Sequence, residues 1–188
     1  GYQHVFARAL STKTGLAAVV FILAAGLILA NLLIAFRAMT RREIVMATPE
    51  GPRVLVVEPG QLRSLVFVVA AFGGLALCAY AGSHWEEWLL YRHATPFNQA
   101  DPILGYDVSF YLFTLPVLQI ARSLLLLTLI PAIIGTAVVY AASGRMGISP
   151  TRGLFAEPQV ITHLALLAAG IFLMLAAGAW LEIPSLLT

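Results

Sequence analysis

The chain has 188 residues, 60% of them hydrophobic and 11% charged, and its mean hydropathy is +0.90. Soluble domains carry about 25% charged residues, so a water-soluble fold is excluded and the chain reads as membrane-embedded. A formal charge of +2, one lysine (Lys13) and no basic run interleaved with aromatics exclude nucleic acid as a partner.

The opening GYQHVFARALSTKTG has no initiator Met and lacks the basic-then-apolar order of a signal peptide. The chain therefore reads as a segment of a longer protein. A helix crossing about 30 Å of hydrocarbon needs roughly 20 mostly apolar residues. Residues 16–36 meet that requirement, with Asn31 as the one strongly polar side chain. Such a residue either lines a path or bonds to a neighbouring helix, and the second is the plainer reading.

The connection 37–63 carries Arg37, Arg41, Arg42, Arg53 and Arg63. Its RVLVVEPG stretch is β-branched and ends in a Pro-Gly turn signal, which suits a short strand. Residues 65–81 form the second span. Ala70, Gly74 and Cys78 recur every four residues there, with Gly73 beside them, so helix backbones can approach closely. Cys78 has no second cysteine to pair with and reads as a packing residue.

Next comes the loop 83–115. Ser83 and Glu86 have the spacing of a capping box, and Trp85, Trp88, Leu89 and Arg92 share one helical face. Ser83 to Tyr91 is therefore expected to be a short amphipathic helix on the membrane surface, where Trp and Tyr concentrate. Thr95-Pro96 ends it. Asp101-Pro102 and Gly105 make turns, and DVSFYLF reads as a second interfacial stretch. Pro116 suits the first turn of another helix, in which Arg122 would snorkel to the headgroups.

The third span is 121–142, its uninterrupted apolar run starting at Leu124. Pro131 frees the carbonyl of Leu127, and Thr128 and Gly135 help to accommodate a kink. SGRMGISPTRG, with Arg145 and Arg152, reads as a turn-rich loop. The fourth span is 164–181, with small residues at Ala169, Gly170, Ala177 and Gly178.

These elements describe an all-α membrane protein: about four transmembrane helices, a short interfacial helix and an extracytoplasmic loop, all in one membrane domain. The arginines crowd into 37–63 and 143–162. The other side holds Arg8, Lys13, Arg92 and Arg122 together with Glu86, Glu87, Asp101 and Asp107. The positive-inside rule then puts both ends and the 83–115 loop outside a bacterial inner (cell) membrane.

Asp101, Asp107, His84 and Glu87 are the residues whose types could hold a metal. No metal-loop spacing is matched, however, and both Asp residues suit turn capping. Ser83 and Ser109 lack a base motif. The segment is expected to be no enzyme, to need no cofactor and to have membrane lipids as partners. It serves as a structural membrane domain or, alternatively, as part of a transporter or channel. The alternative needs Asn31, Thr128 and Thr136 on a shared polar groove.

The stretch WLLYRHATPFNQADPILGYDVSFYLFTLP closely resembles the membrane region of uncharacterised protein family 0182, a family of multi-span bacterial membrane proteins. The matching residues are Trp85, Trp88, Thr95, Pro96, Phe97, Asp101, Pro102, Gly105, Asp107, Ser109, Phe110, Tyr111 and Pro116. His93-Ala94 departs from the commoner Asn-Gly or Asn-Ala before the Thr-Pro. GYQHVF and NLLIA also look like early segments of that family. The resemblance implies a further span and a large extracytoplasmic domain in the same protein, the latter a partner for this region.

Overall fold

The structure is a computed structural model that describes residues 2–37, 42–48, 51–57, 59–149 and 153–186. The described residues form five α-helices and two β-hairpins. Helix α1 (Tyr2–Arg37) is followed by strands β1 (Arg42–Thr48) and β2 (Gly51–Val57), α2 (Pro59–Ser83) and α3 (Trp85–Arg92). A folded loop then leads into a π-helical turn (Phe110–Thr114), α4 (Leu115–Ala142), β3 (Met146–Ser149), β4 (Gly153–Ala156) and α5 (Pro158–Ser185). Four stretches are long and apolar enough to cross a membrane: Phe6–Arg37, Arg63–Ser83, Phe110–Ala142 and Pro158–Ser185. Each contains one of the expected spans and extends past it at both ends, except that the third shares its end at Ala142.

Glycines set the packing. A Cβ on Gly74 would lie 2.6 Å from that of Ala25, and one on Gly73 would lie 2.9 Å from Cδ1 of Ile28. α1 and α2 therefore run antiparallel at near backbone contact, through the small-residue face of the second span. Gly170 sits against the Leu129 side chain, and the pairs Arg122 with Met174 and Tyr140 with His163 make α4 and α5 antiparallel as well. Gly135 receives Leu32 and joins α1 to α4 in parallel. The bundle thus runs up, down, up, down. Its core gathers Ile28, Leu32 and Ala35 of α1, Ala70 and Leu77 of α2, Ala132 and Val139 of α4, and Val160 of α5. The outward faces are greasy: Phe72 and Phe172 are each 69% exposed. In water that would be a liability; against acyl chains it is the expected surface.

The ends of the bundle differ. Both hairpins sit at one end. β1 and β2 pair from Arg42 with Val57 to Thr48 with Gly51, which gives the RVLVV stretch its strand. β3 and β4 pair from Met146 with Ala156 to Ser149 with Gly153, where the sequence suggested an irregular loop. Gly153, the first residue of β4, takes left-handed backbone at φ +65°. Arg145 then reaches Glu157 at 3.4 Å and Gln159 at 3.2 Å, tying this hairpin to the start of α5. Arg41 and Arg152, both part of the charge asymmetry, lie outside the described residues.

At the opposite end one expectation changes. The Ser83–Glu86 capping box does not form. Helix α2 runs through Ser83, so its hydroxyl turns back and donates to the Tyr80 carbonyl at 2.7 Å. His84, at φ −108° and ψ 31°, breaks the helix and becomes the N-cap of α3, without a side-chain cap bond. The DVSFYLF stretch is helical after Asp107. It winds directly into α4, so Pro116 lies within a continuous helical rod. Proline there clashes with the carbonyl four residues back and donates no N–H. The rod answers by widening one turn, in which the Leu115 N–H bonds the Phe110 carbonyl.

Replacing Gly74 by Leu is expected to cost about 1–3 kcal/mol by overpacking and to lower the unfolding midpoint in detergent. Gly26→Ala, whose Cβ meets nothing within 4 Å, should leave that midpoint unchanged or slightly raised.

Candidate functional site

The 94–109 loop is a compact cap built on two carboxylates. Asp107 accepts from the amides of Phe97 (3.1 Å), Gln99 (3.2 Å) and Ser109 (2.8 Å). Asp101 accepts from the amides of Ile103 (3.2 Å) and Leu104 (2.6 Å) and from the Tyr111 hydroxyl (3.1 Å). Ala100 and Asp107 bridge as in an antiparallel pair. Two residues take left-handed backbone to allow this, Asn98 at φ 55° and Gly105 at φ +74°. Asn tolerates that region and Gly prefers it. The Ser109 hydroxyl, followed by the amides of Ser109, Phe97 and Gln99, lowers the Asp107 carboxyl from 3.8 to about 2.

Aromatic stacking seats the cap. Phe97 stacks on Phe113 and Tyr106 on Phe110. Tyr111 and Leu115 pack with Leu181 of α5 in a small second core. Pro102 begins the Asp101 turn, and Thr95-Pro96 forms the extended exit from α3. Trp88 sits 5.9 Å from Tyr91, ring to ring.

His84 does not approach the loop carboxylates. Its Nδ1–H donates to the Tyr80 carbonyl at 2.9 Å. Glu87 stands on the first turn of α3. Among the described residues no three His, Cys, Asp or Glu side chains are grouped to hold a metal ion.

The bundle interior holds a second polar arrangement, centred on a residue that sequence reasoning passed over. His163 of α5 lies 3.0 Å from Asn31 Oδ1 through Nε2 and 3.0 Å from the Tyr140 hydroxyl through Nδ1. The Asn31 amide nitrogen donates to the Leu27 carbonyl at 2.7 Å, which leaves Oδ1 as acceptor. Nε2 must then carry the proton, and Nδ1 accepts from Tyr140. One directional chain therefore runs Tyr140, His163, Asn31, Leu27 across α4, α5 and α1. His163 immediately precedes the apolar run that starts at Leu164, and its partners are distant in sequence. Its only signal was a polar residue at the edge of a span.

Arg122 reaches across to α5: its Nε–H donates to the Met174 carbonyl at 2.9 Å. The guanidinium lies on Gly178, where a Cβ would collide with it. Thr128, whose Oγ–H donates to the Leu124 carbonyl at 2.6 Å, serves its own helix three residues before Pro131. Thr136 Oγ1 is buried without a partner among the described residues.

A half-open groove of about 580 Å³ lies between α1 and α4 beneath α3. Ser11, Thr12, His84, Trp88 and Arg92 line its mouth; neither Asn31 nor Thr128 lines it. Smaller hollows on the other sides of α3 are lined by His4, Arg8 and Trp85, and by Arg8, Leu89 and His93.

The fold and its cap define a bundle with four helices able to cross a membrane and a folded polar loop at one end. The chain belongs to the uncharacterised protein family UPF0182, whose model matches residues 1–188. It is similar to a UPF0182 protein of Geobacter sp. (strain M21), 31% identical over all of this chain and 21% of the relative's length. A relative from Trichlorobacter lovleyi is 34% identical over 64% of the chain and 14% of its own length. One from Mycobacterium tuberculosis (strain H37Rv) is 26% identical over the whole chain and 19% of its length. The chain thus spans about a fifth of the relatives that it matches throughout. No solved structure matches it.

Two outcomes test this geometry. In a double-mutant cycle, Asn31→Leu with His163→Leu should give a coupling of about 1 kcal/mol in unfolding experiments, the usual scale for bonds between membrane helices. The depressed Asp107 carboxyl contributes stability that is fully present above pH 3.8 and is lost as pH falls through about 2. A thermal unfolding series across that window should show the decline, and Asp107→Asn should flatten it.

Proposed function

We propose that this region is a structural membrane domain, without catalysis of its own, that anchors and positions a large extracytoplasmic domain of the same protein in the bacterial inner membrane. The observation that supports it most is where the polar side chains are used. The conspicuous acids of the loop, Asp101 and Asp107, bind their own backbone. The polar side chains between the helices join α1, α4 and α5. A transport path would need Asn31 and Thr128 on one polar cavity, and the main groove is lined by neither. The relatives' much greater length leaves ample chain for a domain to be held.

The proposed orientation puts both ends and the α3–loop end outside, and the hairpin end in the cytoplasm. The arginines of 37–63 and 143–162 support this, as does the up-down path that sends both connections to one end. Cysteines introduced at Leu55 and Gln99, with Cys78→Ser, should separate in spheroplasts: an impermeant thiol reagent labels position 99 and spares 55. The reverse pattern would invert the topology. Replacing the whole membrane region of the full-length protein by a cleavable signal peptide should release a soluble periplasmic product. A product still bound to membranes would defeat the anchoring role.

A further inference from the structure

We propose that the groove between α1 and α4 holds one anionic phospholipid from the leaflet on the α3 side. Its phosphate sits at Arg92 and one acyl chain lies between the two helices. The proposal rests on the membrane placement above and adds a specific ligand to it.

The groove changes character along its length. Its mouth carries the Arg92 guanidinium, the Ser11 and Thr12 hydroxyls and the His84 ring, with Trp88 beside them. Below, α1 contributes Gly15, Leu16, Val19 and Val20, and α4 contributes Val117, Ile120, Ala121 and Leu124. Between Ser11 and Val20 the helix rises roughly 13 Å. One leaflet of a bilayer whose core is about 30 Å thick offers roughly 15 Å of hydrocarbon. The apolar wall therefore ends about where a single leaflet ends, and the polar mouth lies where headgroups lie. Trp88 is suited to that level, with its ring in the apolar layer and its N–H in the wet one.

Size and charge agree. The volume of about 580 Å³ falls inside the roughly 300–1,000 Å³ of small-molecule sites. The groove is open along one side, as a site loaded laterally from the bilayer must be. Every ionisable side chain lining it and the two hollows beside α3 is an Arg or a His: His4, Arg8, His84, Arg92 and His93. Glu86 and Glu87, on the first turn of α3, line none of the three. Among the described residues no carboxylate lies within ion-pair distance of Arg92. A guanidinium presents a fork of donors that suits phosphate oxygens, and the Thr12 hydroxyl can add a donor to the same group. An apolar helix laid in this groove would strand that polar mouth, whereas a phospholipid matches both halves.

The test uses the full-length protein in nanodiscs containing phosphatidylglycerol or phosphatidylcholine that carry a diazirine on the acyl chain, with labelled peptides mapped by mass spectrometry. The expected result is labelling of 15–20 and 117–124 several-fold stronger from phosphatidylglycerol than from phosphatidylcholine. Arg92→Gln should remove the headgroup preference, and Ala121→Trp should remove labelling from both stretches. Labelling around the outward-facing Phe172 should stay unchanged in both variants, which checks that they are folded. Groove labelling no stronger than that at Phe172, or a preference that survives Arg92→Gln, overturns the lipid site and leaves the membrane placement standing. Absence of label at Phe172 as well overturns the placement together with the site.

Discussion

Hydrocarbon offers no hydrogen bonds, so a polar group that enters it must bring or find its partner within the protein. That constraint organises the four-helix bundle. The chain from Tyr140 through His163 and Asn31 to Leu27 satisfies three side chains at once and fixes the imidazole in one tautomer. Because its members come from α4, α5 and α1, satisfying both ring nitrogens of His163 requires three helices to be in register. Arg122 meets the same constraint differently, by sharing a carbonyl of α5 and lying flat on a residue without a side chain. Apolar contact alone would fix the bundle less sharply, since lipid tails are as good a solvent for leucine as another helix is.

Close approach is the complementary device. Gly73 and Gly74 against α1, Gly135 under Leu32 and Gly170 against Leu129 bring backbones together where bulkier residues would hold them apart. The large side chains are left to face outward, as Phe72 and Phe172 do. The end that carries α3 is built on another principle. There the loop meets water, and two carboxylates gather the amides that a turn-rich segment would otherwise leave to solvent.

The spans were legible in the sequence because length and apolarity are properties of a contiguous stretch. The short helix α3 was legible for a similar reason, since tryptophans three residues apart mark a face. Asp101 and Asp107 could be read as turn residues because their partners are within about ten positions of them. The contacts of His163 and Arg122 could not be read, because they join residues far apart in the chain and leave no local pattern. The Ser83–Glu86 spacing misled: a capping box needs a helix to begin at Ser83, and an earlier helix had not yet ended there. The second hairpin was missed because its strands are four residues each, too short to show alternation among glycines.

The widened turn before Pro116 has a geometric consequence for the cap. Consecutive residues of an α-helix are about 100° apart around the axis, so inserting one residue into a turn rotates everything before it by that angle relative to everything after. The Phe110 carbonyl is thereby brought beneath Leu115, whose N–H it accepts, while Tyr111 packs with Leu115 and Leu181 and reaches Asp101. A proline at the start of a span thus acts as an angular offset. It sets the compass bearing of the loop cap on a bundle whose own orientation is fixed by the contacts deeper down.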